Sequence, residues 1–334
     1  FVAGVKGSFK DWDFDTAVLY SQSKVSNQRA GYLQRDVEFA LLNPNGFAVQ
    51  PGATSPSTLN NAAVAAANSA AYAALPAGTL WRIAESAGLN SAAMYAALSP
   101  KISNDALSKT AQIDFKASRE LMQLSGGALG LALGGEFRRE SINLDPTSGT
   151  ERGNIIGLGY SAYNGSRNVT AAYAELLAPV LKSLELSAAV RVDHYSDVGN
   201  SYTPKVGAKW TPLPEVAVRA TYAEGFRAPS SAENGVGGLA AFSTAKDPLR
   251  CNPPNNVAAA CDPASIAIIT SPNANLVPEK SKSYTLGFVW DPLPKSSISV
   301  DLWQIVRNSE INQELTDAAI AAGKVSRDAS TSTK

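Results

Sequence analysis

Few residues in this sequence could do covalent chemistry. His194 is the only histidine, and Asp193 precedes it in "VRVDHY". Neighbours on a strand point to opposite faces, so the two cannot form a side-by-side acid–base dyad. An outward histidine at a rim could serve a lipid-cleaving site, but no serine stands out as its nucleophile. An interfacial histidine at a strand end is the simpler reading. "GLALGG" has the glycines of a phosphate loop, yet it lies inside a strand pattern with no helix after it, where glycines relieve crowding instead. Cys251 and Cys261 close a short loop in "RCNPPNNVAAAC", which suits a disulfide in an oxidising compartment. Zinc is a poor match, with two cysteines, one distant histidine and no second pair. No catalytic residue, metal site or cofactor is expected.

The remaining chemistry is charge, and it is periodic. "LELSAAVRVDHY" sets Leu186, Ala188, Val190 and Val192 against Glu185, Arg191 and Asp193. "ALGLALGGEFRRE" sets Leu131, Leu133 and Phe137 against Glu136 and Arg138. "TPKVGAKW" sets Val206, Ala208 and Trp210 against Lys205 and Lys209, and "VRATYAEGFRAPS" sets Val218, Ala220 and Tyr222 against Arg219. Period-2 alternation is the mark of a strand with two unlike faces. Counting every such segment predicts about ten antiparallel strands. Arg119 breaks the pattern, because it shares parity with Ile113 and Phe115; a bulge or a place near an interface would relieve it.

The bulk numbers set limits. The 334 residues carry 29 basic and 29 acidic side chains, so no global field draws the chain to nucleic acid. Mean hydropathy is −0.09 and no run of about 20 apolar residues occurs. A membrane helix is excluded, but a membrane barrel is not, because its alternating faces average out. Connection lengths favour the barrel. Short turns ("LSGGA", "TPLPE", "DPLPK") alternate with long connections over 24–109, 142–167 and 228–280. Trp12, Trp210 and Trp290 stand beside short turns, where interface aromatics belong. The expected fold is all-β: a transmembrane barrel segment with short periplasmic turns and long extracellular loops. A soluble sandwich would have modest loops at both ends.

The first long connection is Ala-rich and predicts surface helices, with Asn60 or Asn61 as a cap and another helix over "TLWRIAESAG" ending at Gly88. Loop aromatics (Tyr72, Trp81, Tyr95, Phe242 and Phe47 among them) are ligand-contact candidates. Both ends of the chain have the look of cuts within something longer.

Four segments carry a resemblance. "VRATYAEGFRAPSSAE" resembles the signature strand of TonB-dependent outer-membrane receptors, and "SPNANLVPEKSKSYTLGFVWDP" the segment after its loop. "SRNVTAAYAELLAPVL" and "YTPKVGAKWTP" resemble two strands before it. The resemblance implies part of a 22-stranded barrel, with a plug and a TonB box outside this chain. Implied partners are outer-membrane lipid, the TonB complex, and a small-molecule or metal-chelate ligand at the loops. The implied task is uptake of a scarce solute: a ferric siderophore first, then cobalamin or an oligosaccharide. A passive porin-like barrel is the rival. On this reading Arg219 and Tyr222 lie on the signature strand and Gly225 bends it out of the membrane. Phe226, Arg227 and Pro229 then fix the loop base.

Overall fold

The computed structural model describes residues 1–42, 61–82 and 90–325. Ten strands run as one antiparallel meander: β1 (Val2–Phe9), β2 (Trp12–Arg29), β3 (Ile102–Leu124), β4 (Gly127–Leu144), β5 (Ser161–Leu181), β6 (Leu184–Tyr195), β7 (Gly199–Leu213), β8 (Val216–Arg227), and then β11 (Glu279–Leu293) and β12 (Ser296–Asn308). Between β8 and β11 a hairpin of β9 (Val236–Ala245) and β10 (Ala264–Thr270) joins the sheet through β9 and β5. Among the described residues β1 pairs only with β2 and β12 only with β11, so the sheet is open.

The strands outrun their hydrophobic pattern. β2 and β3 stay paired from Asp13↔Ser118 to Arg29↔Ile102, so the first long connection is 30–101 rather than 24–109. The second shrinks to 145–160 and the third to 228–278, with a hairpin inside it. Backbone hydrogen bonds keep these outer ladders together where both faces are polar and no alternation marks them.

Five short turns are two-residue hairpins at one end of the sheet, after Phe9, Leu124, Leu181, Leu213 and Leu293; one three-residue turn, between Tyr195 and Gly199, lies at the other end. Lys10 and Lys295 take the positive φ that such turns need, at 53° and 71°. Pro212 and Pro292 lie within strands rather than in turns. Each sits in a register shift, Trp210/Leu213 and Trp290/Leu293, where the ladder does not need its N–H.

Cross-strand partners share a face, so rows can be read across the sheet. One row is Val18, Ile113, Phe137, Thr170 and His194. This face is apolar and uncovered: Val206 and Leu286 are each 51 % exposed and Val190 is 44 % exposed. A sandwich would bury those three side chains together. The buried apolar cluster lies instead in the connection 30–101, among α1 (Arg35–Leu42), α2 (Asn61–Asn68), α3 (Ala70–Ala73) and α4 (Ala92–Leu98). Val37, Leu41, Met94 and Leu98 form its centre, and Tyr72 and Trp81 pack against it. Ser69 and Ser91 cap α3 and α4 by accepting from Tyr72 and Met94 amides. Of the helix expected over 79–88, the described residues 79–82 are not helical, and the Arg82 amide donates to Asn90 Oδ1. Residues 83–89, with Gly88, lie outside the described residues, as do Phe47 and Asn60.

Arg119 keeps its awkward parity, opposite Leu131 on the apolar face. The bulge comes after it, between Glu120 and Met122, and does not re-aim it. Position relieves it instead. Its guanidinium lies 5.3 Å from the Trp12 ring centroid and 3.8 Å from Asp11 beside the first short turn.

Candidate functional site

The polar face carries a continuous chain of charges. Arg191 bonds Asp193 at 2.8 Å and reaches Glu136 at 3.3 Å. Glu136 pairs with Arg138, and Arg138 Nε bonds Glu140 at 2.7 Å. Glu140 accepts from Arg167 Nε at 2.8 Å. Arg167 Nη1 donates to the Pro229 carbonyl at 2.7 Å, and its guanidinium stacks 5.0 Å from the Tyr195 centroid. The chain thus runs from the sheet wall into the base of the 228–278 connection.

Small residues make this possible. Glu136 and Asp193 both oppose Ala171 on the strand between them, so the Arg191 side chain can cross β5. Gly134 opposes Tyr173, and a Cβ there would lie 2.2 Å from the ring. Gly134 of "GLALGG" therefore makes room for an aromatic, relieving crowding within a strand. Gly287 does the same for the signature strand. Arg219 reaches across it to grip both Asp301 oxygens, each at 2.8 Å, where a Cβ would lie 2.3 Å from Asp301 Oδ1. Lys209 stands opposite Arg219 on one side and Glu185 on the other; Lys205 stands between Ala189 and Ala223.

Gly225 is not where the signature strand bends. It pairs with Ser281 in extended backbone, and the β8–β11 ladder continues to Arg227↔Glu279. The β7–β8 ladder, however, stops at Lys205↔Ala223. Phe226, past that point, turns its ring edge-on to Tyr195 at 5.7 Å. Pro229 is fully buried and ends the strand, since it lacks an N–H and restricts the residue before it. Tyr222 packs on Tyr284 at 5.1 Å on the apolar face.

Arg227 ties three segments. It donates to Glu233 at 2.9 Å and to Glu279 at 2.8 Å, and Glu279 also accepts from the Ile311 amide at 2.7 Å. Glu233 closes a capping box with Ser230 on α5 (Ser231–Asn234). These groups lie beyond Tyr222 and Tyr284, outside the apolar band. Hydrogen bonds from Arg227 hold the Glu279 carboxyl down at about 2 and keep Glu233 below the usual carboxylate range. A depressed carboxylate contributes stability above its unfolded value and loses it as pH falls through the folded one. A spin label at Ala232 should therefore keep its mobility between pH 7 and 5, then loosen as pH falls from about 4.5 to about 2. Loosening already at pH 6 would disprove this account of the loop base.

Trp12, Trp210 and Trp290 mark the short-turn edge of the apolar face. The sequence reading missed a second belt on that face: Tyr20, Tyr202 and Tyr284, between 46 % and 63 % exposed, and the half-buried Tyr222. Eight residues separate Trp210 from Tyr202, about 26 Å along a strand and near 20 Å once tilted. Cys251 and Cys261 form a disulfide in the third long connection. His194 is exposed, with Nδ1 2.7 Å from Asn200 Oδ1. Among the described residues no acid, cysteine and histidine cluster could hold a metal, and no helix is long and apolar enough to cross a membrane.

An open antiparallel meander with one apolar face, one charge-paired face, short turns at one end and long connections at the other defines a segment of an outer-membrane-type β-barrel. The chain belongs to the TonB-dependent receptor family: the family model described as "TonB dependent receptor-like, beta-barrel" matches residues 6–327. That family is one of outer-membrane transport receptors, not of enzymes. Among curated proteins none matches this sequence. Among solved structures, the siderophore receptor PirA of Acinetobacter baumannii is similar over 91 % of this chain and 34 % of its own, at 14 % identity and a TM-score of 0.53. A variant of the ferric enterobactin receptor PfeA of Pseudomonas aeruginosa, in complex with enterobactin, is similar over 90 % of this chain and 34 % of its own, at 14 % identity and 0.52. The chain spans about a third of the length of these structures.

Proposed function

We propose that the intact protein is a TonB-dependent receptor of a Gram-negative outer membrane that takes up a ferric siderophore. The observation that carries the reading is the family match across nearly the whole chain, joined to a polar face whose charges lead into the base of a long connection. The apolar face between the two aromatic belts meets lipid. The connections 30–101, 145–160 and 228–278 face outward and meet the ligand. The TonB complex engages through a plug outside this segment and supplies the work. No bond is made or broken in the solute; the protein binds it and lets it pass. The names of PirA and PfeA favour an iron chelate over cobalamin or an oligosaccharide. A passive porin has no use for a signature strand whose loop base is locked this heavily.

The test is uptake of iron-55 presented as siderophore chelates, in a strain with and without the gene and with and without TonB. Uptake should require both, and expression should rise under iron limitation. Uptake that persists without TonB would support the porin; induction by a carbohydrate with no iron response would reassign the solute.

A further inference from the structure

A strand at the edge of a sheet leaves half its main chain without partners unless something covers it. Among the described residues β10 pairs with β9 alone, and no backbone hydrogen bond outside that ladder reaches 264–270. Its sequence, "ASIAIIT", carries no proline and no charge, and its register with β9 runs without a bulge. These are the devices that blunt an exposed edge, and β10 has none of them. Against it lies a cleft of about 1280 Å³. All seven residues of β10 line that cleft, whereas Ala245 is the one residue of β9 that does. Alternate side chains of a strand point to opposite faces, so a cleft that touches all seven meets the strand edge-on. Its nearer wall is main chain. The farther wall is made by residues 311–314 and the short helix Thr316–Ala321. Gln313 Nε2 donates to Thr270 Oγ1 at 2.9 Å and closes one end.

Chemistry, charge and place point to one occupant. A bare edge offers N–H and C=O groups in the spacing of another extended peptide, and side-chain pockets beside it set the choice of sequence. Here those pockets are apolar, lined by Ile266, Ile268, Leu276 and Ile320. Seven residues at strand rise span about 23 Å, which suits a chain and not a compact solute. The charges around the cleft cancel. Asp247 faces Arg250 at 3.8 Å, Glu314 bonds Lys324 at 2.8 Å and Glu233 is held by Arg227, which leaves Lys246 and Asp262, one of each sign. A bare polyanionic chelate finds no excess of cations there. Glu233 also places the cleft at the loop base, where the charges of the polar face end. We infer that the solute is a ferric chelate that carries a peptide, and that β10 binds this peptide as an added strand. The inference rests on the receptor reading and narrows its solute.

The test titrates the intact receptor, in mild detergent, with two probes. One is a ferric trihydroxamate joined to an apolar peptide of about six residues, the length that β10 can pair. The other is the same compound with its main-chain amides N-methylated, which removes the donors and keeps the side chains. Wild type should bind the first about 30-fold more tightly, the net effect of two or three main-chain hydrogen bonds. Ala319→Trp fills the cleft from its far wall, and Gln313→Trp does so from an exposed position that folding does not depend on. Both should bring the preference below twofold. Arg119→Gln, at the other end of the sheet, should keep it. Equal binding of the two probes by wild type overturns the inference, as does a full preference in both tryptophan variants. Dimers of wild type that the tryptophan variants lose, with no preference between probes, would give the edge to a second copy of the chain and also overturn it. A wild type that binds neither probe, yet takes up iron-55 from another chelate through TonB, overturns it and leaves the receptor reading intact. Absence of TonB-dependent uptake from every chelate removes both.

Discussion

Replacing Arg167 with methionine should loosen the third long connection and lower folding stability by about 2–4 kcal/mol. Arg167 is only 14 % exposed at its side chain and meets Glu140, the Pro229 carbonyl and the Tyr195 ring, with Asp197 at 3.7 Å. Methionine fills similar volume but strands that carbonyl and leaves Glu140 to Arg138 alone. Leaving buried polar partners unpaired costs more than the bonds themselves are worth. The temperature at which the unheated protein loses its folded gel mobility should fall. Protease cutting within 228–278 should quicken at temperatures where the strands remain intact. Arg167→Lys should recover part of the loss: it keeps the charge but not the fork that serves Glu140 and Pro229 together. Unchanged cutting in Arg167→Met would show that the connection is anchored by Arg227 and its two carboxylates alone.

Arg167 also shows where the sequence falls silent. The alternation in "NVTAAYAELLAP" gave β5, but it began too late, and Arg167 fell inside the connection 142–167. A residue two rows above the apolar band has no alternating neighbour to assign its face. Its partner Pro229 is 62 residues away, and no local pattern encodes that distance. The same blindness hid the β9–β10 hairpin, whose "VGGLAAFSTA" mixes glycines with apolar residues on both faces. It also left the helical connection's core unread. There Trp81 and Tyr95, offered as ligand contacts, meet edge-on at 5.0 Å. The apolar band was legible for the opposite reason. Its outward side chains have a single environment along each strand, so Val190, Ala220 and Leu286 repeat a pattern that register then has to respect. Gly225 was misread because a glycine near a strand end invites a bend, whereas here its φ is ordinary and the proline four residues later ends the strand.

One device recurs across the polar face: a small residue under a long one. Ala171 lies beneath the Arg191–Glu136 link, Gly134 beneath Tyr173, and Gly287 beneath the Arg219–Asp301 pair. The first and last let an arginine skip a strand and bond the next one over. In an open sheet with no packed core this ties strands two apart, which backbone hydrogen bonds alone do not. It also joins "VRATY" to "SYTLGF": the arginine of one crosses the glycine of the other to reach Asp301.

The assignment of the two faces carries the largest prediction that bears on the membrane. Val206 lies midway between Tyr202 and Trp210 on the apolar face, while Ser187, nearly level with it, lies on the polar face opposite Gly207. Val206→Lys should destabilise the assembled barrel by about 2–4 kcal/mol, the cost of a cation at the bilayer midplane. Ser187→Lys should cost little, because Glu185 stands two residues away on the same face. Both variants would be scored by urea titration of barrels folded into bilayers and by their level in outer membranes. The contrast between two positions at one height separates the readings. If lipid covers the apolar face, only Val206→Lys falls. If water covers it, Val206→Lys becomes an exposed lysine on an exposed strand and improves solubility with no loss of stability. Equal tolerance of the two lysines would mean that hydrocarbon does not touch this sheet.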